Sequence, residues 1–182
     1  MPSNVIDMSG KVVLITGGSR GLGRAMALGF AEAGADVIVA SRKIEACNAV
    51  VAEIEAMGRV GFAVAANVSH WDQCDTLVEA AYERFGRVDV LVNNAGLSPL
   101  YDKLSDVTEA LWDKVQAINL RGPFRLSAVI GERMRDGVGG TENGVILNIS
   151  STGAIRAKGH IVPYSAAKAG LNAMTEGFAE AL

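Results

Sequence analysis

Short apolar runs alternate with longer helical stretches along the sequence, and this alternation limits the possible folds more than any other feature. The runs are rich in β-branched residues and read VVLIT from Val12, VIVA from Val37, VGFAVA from Val60, VDVLVNN from Val88 and VILNIS from Val145. Strands that are apolar throughout are buried on both faces of a sheet, and helical connections between them require parallel pairing with right-handed crossovers. The sequence therefore predicts an α/β fold with a doubly wound parallel sheet of five strands.

Helical stretches fill the intervals between these runs. They are GLGRAMALGFAEAG from Gly21, a helix through Glu53 to Met57, one from about Trp71 to Phe85, one through Trp112 to about Met134, and a last one from about Pro163. A glycine-rich segment at residues 136–144 is typical of a surface loop. Since no linker or repeat separates these units, the 182 residues are predicted to form one domain.

Composition and charge exclude several classes of protein. A net charge of −3 provides no basic face for a nucleic acid. No apolar run approaches the roughly 20 residues that span a bilayer, and the opening residues do not resemble a secretory leader. Cys47 and Cys74 lack the spacing of a metal site or a disulfide framework. We expect a cytoplasmic protein without a metal, and cysteines of no special reactivity.

The segment TGGSRGLG at residues 16–23 directly follows the first predicted strand and opens the first helix. Glycines allow a tight turn and a close approach of the backbone to a pyrophosphate, and the positive end of the helix offsets its charge. A plain strand-to-helix turn is the alternative interpretation. The position at the first βα turn favours a dinucleotide site, whose predicted residues are Gly17, Ser19, Arg20, Gly21, Leu22 and Gly23.

The end of the second strand indicates which dinucleotide is bound. An acidic residue there would hold the ribose of NAD, but the strand ends in Ser41 and Arg42, and Asp36 stands at its opposite end. A hydroxyl beside a guanidinium suits a 2′-phosphate. We therefore predict NADP, with NAD as the alternative. A solvated Arg42 at the start of a surface helix is the other interpretation.

Tyr164 and Lys168 lie four residues apart at the start of the last predicted helix, so they share one face of it. An ammonium and a helix N-terminus both favour a negatively charged phenol, which could exchange a proton with an alcohol or a carbonyl. Alone, such a pair usually means an aromatic ring packed on an aliphatic stem. However, Ser150 and Ser151 end the fifth strand, and residues 92–96 end the fourth, at the same edge of the sheet. Ligands of open α/β sheets bind at that edge.

Together these motifs resemble the short-chain dehydrogenase/reductase family, over essentially the whole chain. The glycine-rich turn matches the pattern TGxxxGxG, NNAG from Asn93 matches outright, and Asn119 in INL matches the family's helix asparagine. NISS supplies the serine and YSAAK the tyrosine and lysine. Thirteen positions separate Ser151 from Tyr164, as the family pattern requires, which selects Ser151 over Ser150.

The resemblance implies a Rossmann-type fold and a role for each matching residue. Tyr164 would be the catalytic acid/base and would also contact the cofactor, and Ser151 would hydrogen-bond the carbonyl oxygen. Lys168 would hold the nicotinamide ribose and assist the tyrosine. Asn119 would keep a water near Lys168. The backbone of Asn94, Ala95 and Gly96 would lie beside the nicotinamide. Without the resemblance, Asn119 would be read as a tolerated polar residue in a helix.

Two departures from the family pattern are visible. An aspartate that commonly binds adenine after the third strand is replaced here by Asn67, followed by Val68; the amide keeps its hydrogen bonds but brings no charge. Family members also usually continue well beyond this length. Because the chain stops at Leu182 inside its last predicted helix, we expect the family's C-terminal strands and substrate lid to be missing. One sheet edge would then be exposed.

The predicted function is an NADP(H)-dependent oxidoreductase for a small carbonyl compound or alcohol, similar to 3-oxoacyl-thioester reductases or sugar-acid dehydrogenases. A non-catalytic cofactor sensor or a protein-interaction subunit is the alternative. Arg156 and Lys158 could attract an acidic substrate, although solvated surface charge is the favoured interpretation of both. The family forms homodimers and homotetramers, and an apolar stripe of Leu171, Met174 and Phe178 fits such an assembly; burial inside one core would explain the stripe too.

Overall fold

The computed structural model describes residues 6–141 and 143–182 of the chain. The strands are β1 (Val12–Thr16), β2 (Asp36–Ser41), β3 (Gly61–Ala65), β4 (Val90–Asn93) and β5 (Val145–Asn148). The helices are α1 (Gly21–Glu32), α2 (Ile44–Ala56), α3 (Trp71–Phe85), α4 (Glu109–Gln116), α5 (Gly122–Arg135) and α6 (Val162–Ala181). Residues 1–5, on which the leader prediction rests, and residue 142 in the predicted surface loop lie outside the description.

All pairings in the sheet are parallel, and the strand order is β3-β2-β1-β4-β5. The order reverses between β1 and β4, so the connection after β1 runs in one direction and the connection after β3 in the other. In an open α/β sheet this switch point is where a ligand-binding crevice forms at the carboxyl ends of the strands. The predicted doubly wound parallel sheet is confirmed, and the predicted element boundaries differ from the observed ones by one or two residues.

Two apolar layers cover the two faces of the sheet. On one face, α3 and α5 pack on residues such as Leu14 and Leu91. On the other face, α1 and α2 pack on Val13, Ile15 and Val92. Both cysteines belong to these layers, and burial raises the pKa of the Cys74 thiol to about 11. A raised thiol pKa disfavours the reactive thiolate, as expected of cysteines in a core.

One sequence-based expectation about the elements is wrong, and another needs refinement. The helix predicted through Trp112 to about Met134 is present, but it contains a five-residue π-helical segment, Ala117–Arg121, which joins α4 to α5 without a break. The expectation that every strand is buried on both faces fails at the two edge strands. The residues of β3 are at most partly buried, and Val145 and Leu147 of β5 are exposed. β5 is an edge strand, and its uncovered side chains have no helix above them. The predicted glycine-rich loop also contains a short 3-10 turn, Val138–Gly140.

The apolar stripe of α6 packs at least partly within the chain. Leu171 is fully buried, and the ring of Phe178 lies 5.7 Å from the ring of Phe124 in α5. Intramolecular packing therefore accounts for part of the stripe, and homo-oligomer formation stays a prediction. Within the described residues, no helix is both long enough and apolar enough to cross a membrane.

Candidate active site

Hydrogen bonds of the Thr16 and Asn94 side chains connect the carboxyl ends of β1 and β4. The Thr16 hydroxyl donates to the carbonyl of Val92 (3.2 Å) and accepts the backbone N–H groups of Asn94 and Ala95 (3.1 Å each). The Asn94 side chain donates to the carbonyls of Thr16 (2.9 Å) and Gly17 (3.2 Å). These bonds fix the NNAG segment against the glycine-rich turn. Thr16 was missed as a site residue, although its position before the first glycine was the available signal.

The glycine-rich turn accepts no larger residue at its closest contacts. Gly17 has a φ of +65°, and a Cβ atom on it would lie 3.0 Å from the Cα of Ala95. A Cβ on Gly23 would lie 2.2 Å from the carbonyl oxygen of Gly17, so glycine is required there. Only backbone packed this closely leaves the start of α1 accessible from the sheet edge.

The first turn of α1 is open to a ligand. Arg20 is its N-cap and provides no side-chain cap bond within the described residues, and Leu22 is 59% exposed. Ser19 is partly buried, and Gly21 has a positive φ. The first amides of a helix have no partner inside it, and they carry the positive end of the helix dipole. These residues fit the diphosphate of a dinucleotide, which would supply the missing acceptors.

The end of β2 places a hydroxyl and a guanidinium beside this turn. The Ser41 hydroxyl lies 3.0 Å from the Cys47 thiol, while Arg42 is exposed. In residues 6–141 and 143–182, neither Arg42 nor Arg20 forms an ion pair. Asp36, at the opposite end of β2 as predicted, is bound to Arg59 at 2.8 Å. It is therefore not available to a ribose at the carboxyl edge.

The segment after β3 is held by an asparagine turn. The Asn67 side-chain oxygen accepts hydrogen bonds from the backbone N–H (3.2 Å) and the hydroxyl (2.9 Å) of Ser69. The backbone N–H of Asn67 donates to the side-chain oxygen of Gln73 (2.8 Å). Val68 is buried under this turn. The carbonyl side of the Asn67 amide is thus occupied, which leaves its NH₂ group as the part able to bind a base.

A cleft of about 260 Å³ brings together predicted residues from distant parts of the sequence. Its lining comprises Asn94, Gly96, Leu97, Ser98, Ile149, Ser150, Tyr164 and Lys168. Tyr164 lies in the first turn of α6, which begins at Val162 with Pro163 in that turn, close to the predicted start. The loops after β4 and β5 and the start of α6 therefore meet at one place, next to the switch point between β1 and β4.

Lys168 is buried under this cleft. The residue is 3% exposed, and its ammonium donates a hydrogen bond of 2.7 Å to the carbonyl of Ile149. The same ammonium lies 5.9 Å from the ring centroid of Tyr164. Burial lowers the pKa of Lys168 from 10.5 to about 8, because the charged form loses its hydration. The lysine and the tyrosine thus share one environment, as their spacing predicted.

The two serines after β5 differ in their surroundings. The Ser150 hydroxyl donates to the Asn172 side chain at 2.6 Å. The Ser151 oxygen accepts the backbone N–H of Gly153 at 3.0 Å and caps a short 3-10 turn. Ser150 lines the cleft, whereas Ser151, the serine selected by the family pattern, is not among its lining residues. Because Ser151 uses its oxygen as an acceptor, its hydroxyl proton is available for another group.

Asn119 lies within the π-helical segment and is fully buried. Its side chain donates to the carbonyls of Leu97 (2.8 Å) and Val115 (2.9 Å) and accepts the N–H of Leu97 (3.2 Å). These contacts hold the loop that forms one wall of the cleft. A π-helical turn often marks a functional site, because it shifts one side chain out of the helical register.

A larger groove of about 800 Å³ lies elsewhere, beside β5 and between α5 and α6. Residues such as Met134, Val145 and Thr175 line it, and none of the predicted site residues does. Its size alone does not make it the reaction site, because it contains none of the residues predicted to exchange a proton or to hold the cofactor. Among the residues that the structure describes, no group of three His, Cys, Asp or Glu side chains is placed to hold a metal ion.

Comparison with known proteins identifies the family. The model of the short chain dehydrogenase family matches residues 11–182. A 3-oxoacyl-[acyl-carrier-protein] reductase from Synechocystis is 38% identical over 180 residues, which cover 96% of this chain and 69% of that protein. The chain spans about two thirds of the length of the first curated relatives it matches.

Solved structures share the fold over nearly the whole chain. A metagenomic short-chain oxidoreductase in complex with NADP has a TM-score of 0.89 at 34% identity, covering 96% of this chain and 77% of that one. A 3-ketoacyl-(acyl-carrier-protein) reductase from Brucella melitensis, complexed with NADH, has a TM-score of 0.87 at 36% identity, covering 97% and 72%. The resemblance inferred from the motifs is confirmed, and the chain belongs to the short-chain dehydrogenase/reductase family of oxidoreductases.

Proposed function

We propose that this chain forms the reaction centre of an NADP(H)-dependent oxidoreductase that transfers a hydride between nicotinamide and a carbonyl compound or secondary alcohol. The observation that carries this proposal is the shared cleft, in which Tyr164 and Lys168 of α6 lie beside Asn94 and Gly96 from the end of β4. A proton-exchanging phenol is useful to hydride transfer only next to the cofactor, and this arrangement supports that proximity.

In the direction of reduction, the Tyr164 phenol donates its proton to the oxygen of the carbonyl. The Ser151 hydroxyl donates a second hydrogen bond to the same oxygen, since its own oxygen is already occupied by the N–H of Gly153. Two fixed donors stabilise the negative charge that develops on that oxygen. When bound, the nicotinamide supplies or accepts the hydride.

Lys168 and Asn119 support this chemistry from beneath the cleft. The Lys168 ammonium, held by the carbonyl of Ile149, stabilises negative charge on the phenol oxygen after the proton has left. Asn119 fixes the backbone at Leu97, next to Gly96, and so maintains the shape of the wall on which the cofactor and substrate meet.

NADP is the proposed cofactor, with NAD as the alternative. Arg20 and Arg42 are exposed, and neither forms an ion pair within the described ranges. Both guanidinium groups are therefore suited to bind the 2′-phosphate, and Ser41 adds a hydroxyl. Ala95, Asn67 and Val68 are the further residues proposed to contact the cofactor. Related structures contain NADP or NADH, so the preference rests on the arginines of this chain.

The proposed substrate is a small carbonyl compound, such as a 3-oxoacyl thioester or a keto form of a sugar acid. The first class is the one reduced by the named Synechocystis relative. Arg156 and Lys158 are exposed in the loop before α6, where they are accessible to an acidic substrate. A cytoplasmic location and a homodimeric or homotetrameric assembly stay predictions.

The first experiment measures cofactor binding and turnover in the same preparation. NADPH and NADH are titrated by fluorescence, and NADPH consumption is then followed with a panel of 3-oxoacyl thioesters and simple ketones. We expect tighter binding of NADPH than of NADH. In Tyr164→Phe, we expect kcat to fall by about 10² to 10⁴ with only a small change in the NADPH Kd, since the phenol proton is lost but the other cofactor contacts remain.

Tyr82→Phe is the matched control for this substitution. The Tyr82 hydroxyl lies in α3 and has no hydrogen-bond partner among the described residues, so removing it should leave both binding and turnover unchanged. Binding of NADPH without turnover on any carbonyl of the panel would favour the cofactor sensor instead. Equal kcat values for Tyr164→Phe and the parent would contradict the acid/base role.

A further inference from the structure

The Tyr101 phenol connects the segments that follow β4 and β5. The Tyr101 hydroxyl donates to the carbonyl of Gly159 at 2.8 Å and accepts the backbone N–H of Val162 at 2.8 Å. Tyr101 follows the NNAG segment in the connection from β4 to α4, while Gly159 belongs to the connection from β5 to α6 and Val162 begins α6. Both hydrogen-bonding functions of this hydroxyl are therefore used, across 58 and 61 residues of sequence.

The bond to Val162 supplies something that α6 lacks. Val162 is the first residue of α6, and the first amides of a helix have no partner within it. The residue before it, Ile161, has no side chain able to cap the helix, and no side-chain cap bond is formed there among the described residues. Tyr101 thus takes the place of an N-cap from a distant part of the chain, two residues before Tyr164.

A second side chain holds the same stretch of backbone. The Gln116 amide at the end of α4 donates to the carbonyl of Pro163 at 2.9 Å. Val162 and Pro163, the two residues directly before Tyr164, are therefore each fixed by a side chain from outside α6. Two anchors from different elements restrict both the start of the helix and the direction in which the Tyr164 ring leaves it.

We propose that Tyr101 is a positioning residue for the Tyr164 phenol, acting through the backbone of Val162 with Gln116 as the second anchor. We call the hydrogen bonds of Tyr101 and Gln116 to the start of α6 the clamp. The inference rests on the proposed function, because it assigns the clamp a catalytic benefit. Tyr101 does not exchange protons with the substrate in this proposal. It joins the loop that carries the cofactor-facing segment to the helix that carries the acid/base, so that the two sides of the cleft keep a fixed distance.

The test uses the three tyrosines of the chain, each changed to Phe. Tyr101→Phe loses both bonds while keeping the ring, and we expect kcat to fall by about tenfold to a hundredfold through misplacement of the Tyr164 phenol. The KM and the NADPH Kd should stay unchanged, since the clamp contacts neither ligand. Tyr82→Phe should match the parent in all three constants, and Gln116→Met should lower kcat in the same selective way.

Hydrogen exchange at the Val162 amide provides a readout independent of turnover. In Tyr101→Phe this amide loses its acceptor, and we expect its exchange to accelerate by at least about tenfold relative to the parent and to Tyr82→Phe. If the parent reduces no carbonyl, the proposed function fails, while the exchange rate still shows whether the clamp exists. If Tyr101→Phe folds poorly, Gln116→Met carries the kinetic test.

Three results would overturn the inference. The first is an unchanged kcat in both Tyr101→Phe and Gln116→Met when the parent is active. The second is an altered KM or NADPH Kd with an unchanged kcat, which would make Tyr101 a ligand contact. The third is an unchanged exchange rate at Val162 in Tyr101→Phe, which would mean that the bond does not hold the start of α6.

Discussion

Lys168 combines a charge with almost complete burial. Among the described residues, its ammonium has one hydrogen-bond acceptor, the carbonyl of Ile149, and the residue is 3% exposed. A single neutral acceptor does not replace the hydration that a charged amine loses on burial. The protonated lysine is therefore destabilising in the folded chain without cofactor, and its pKa falls to about 8.

This burial predicts a pH dependence of stability. Between pH 8 and pH 10.5 the unfolded chain holds a proton on Lys168 that the folded chain has lost. The free energy of unfolding should therefore rise with pH across this window, by up to about 3 kcal/mol from this residue. In Lys168→Met that rise should be absent. Urea unfolding at several pH values, without cofactor, measures the difference between the two proteins.

The exposed Lys114 of α4 provides the control, since Lys114→Met should keep the pH slope of the parent. Parallel pH profiles for Lys168→Met and the parent would show that the buried amine keeps its ordinary titration.

At the residue scale, sequence spacing predicted which side chains share the site but not how each is bound. Four-residue spacing placed Tyr164 and Lys168 together, and position at the strand ends brought Asn94 near them. The acceptor of Lys168 is a backbone carbonyl of the preceding strand region, which no spacing specifies. The hydrogen bonds of Tyr101 and Thr16 to residues distant in the sequence could not be predicted either, because they depend on the relative position of loops.

At the scale of elements, the π-helical segment between α4 and α5 has a defined task. The Asn119 side chain bonds back to Val115 within its own helix and outward to both backbone groups of Leu97. Apolar periodicity predicted one helix across this region, since a single wider turn changes the pattern very little. The function of the turn is visible only in the structure, where it directs one buried amide at the wall of the cleft.

Asn119→Ala should therefore destabilise the fold independently of catalysis. It removes three hydrogen bonds and leaves the polar groups of Leu97 without their partner, which we expect to cost about 2 to 3 kcal/mol in free energy of unfolding. Thermal or urea unfolding without cofactor measures this loss. Asn48→Ala on the exposed face of α2 should be neutral. A stability loss no larger than that of Asn48→Ala would show that Asn119 does not hold the loop.

At the scale of the whole molecule, one face of the sheet is incompletely covered. Val145 and Leu147 pair in register with Val90 and Val92, which are buried under the layer formed by α1 and α2. Side chains in register point to the same face of a sheet. The apolar surface of that face therefore continues onto β5, where Val145 is 52% and Leu147 is 41% exposed. The sequence predicted an exposed sheet edge, but the run VILN gave no sign of which face of β5 would be uncovered.

An exposed apolar edge strand promotes association between chains, and charged residues on it oppose that association. The double variant Val145→Lys and Leu147→Lys should therefore show less light scattering on heating than the parent, with an unchanged Tm, because neither side chain is buried in the core. Ile146 faces the opposite, helix-covered side. Ile146→Lys should accordingly lower the Tm by placing a charge in that layer. Equal scattering by the double variant and the parent would locate the associating surface elsewhere than β5.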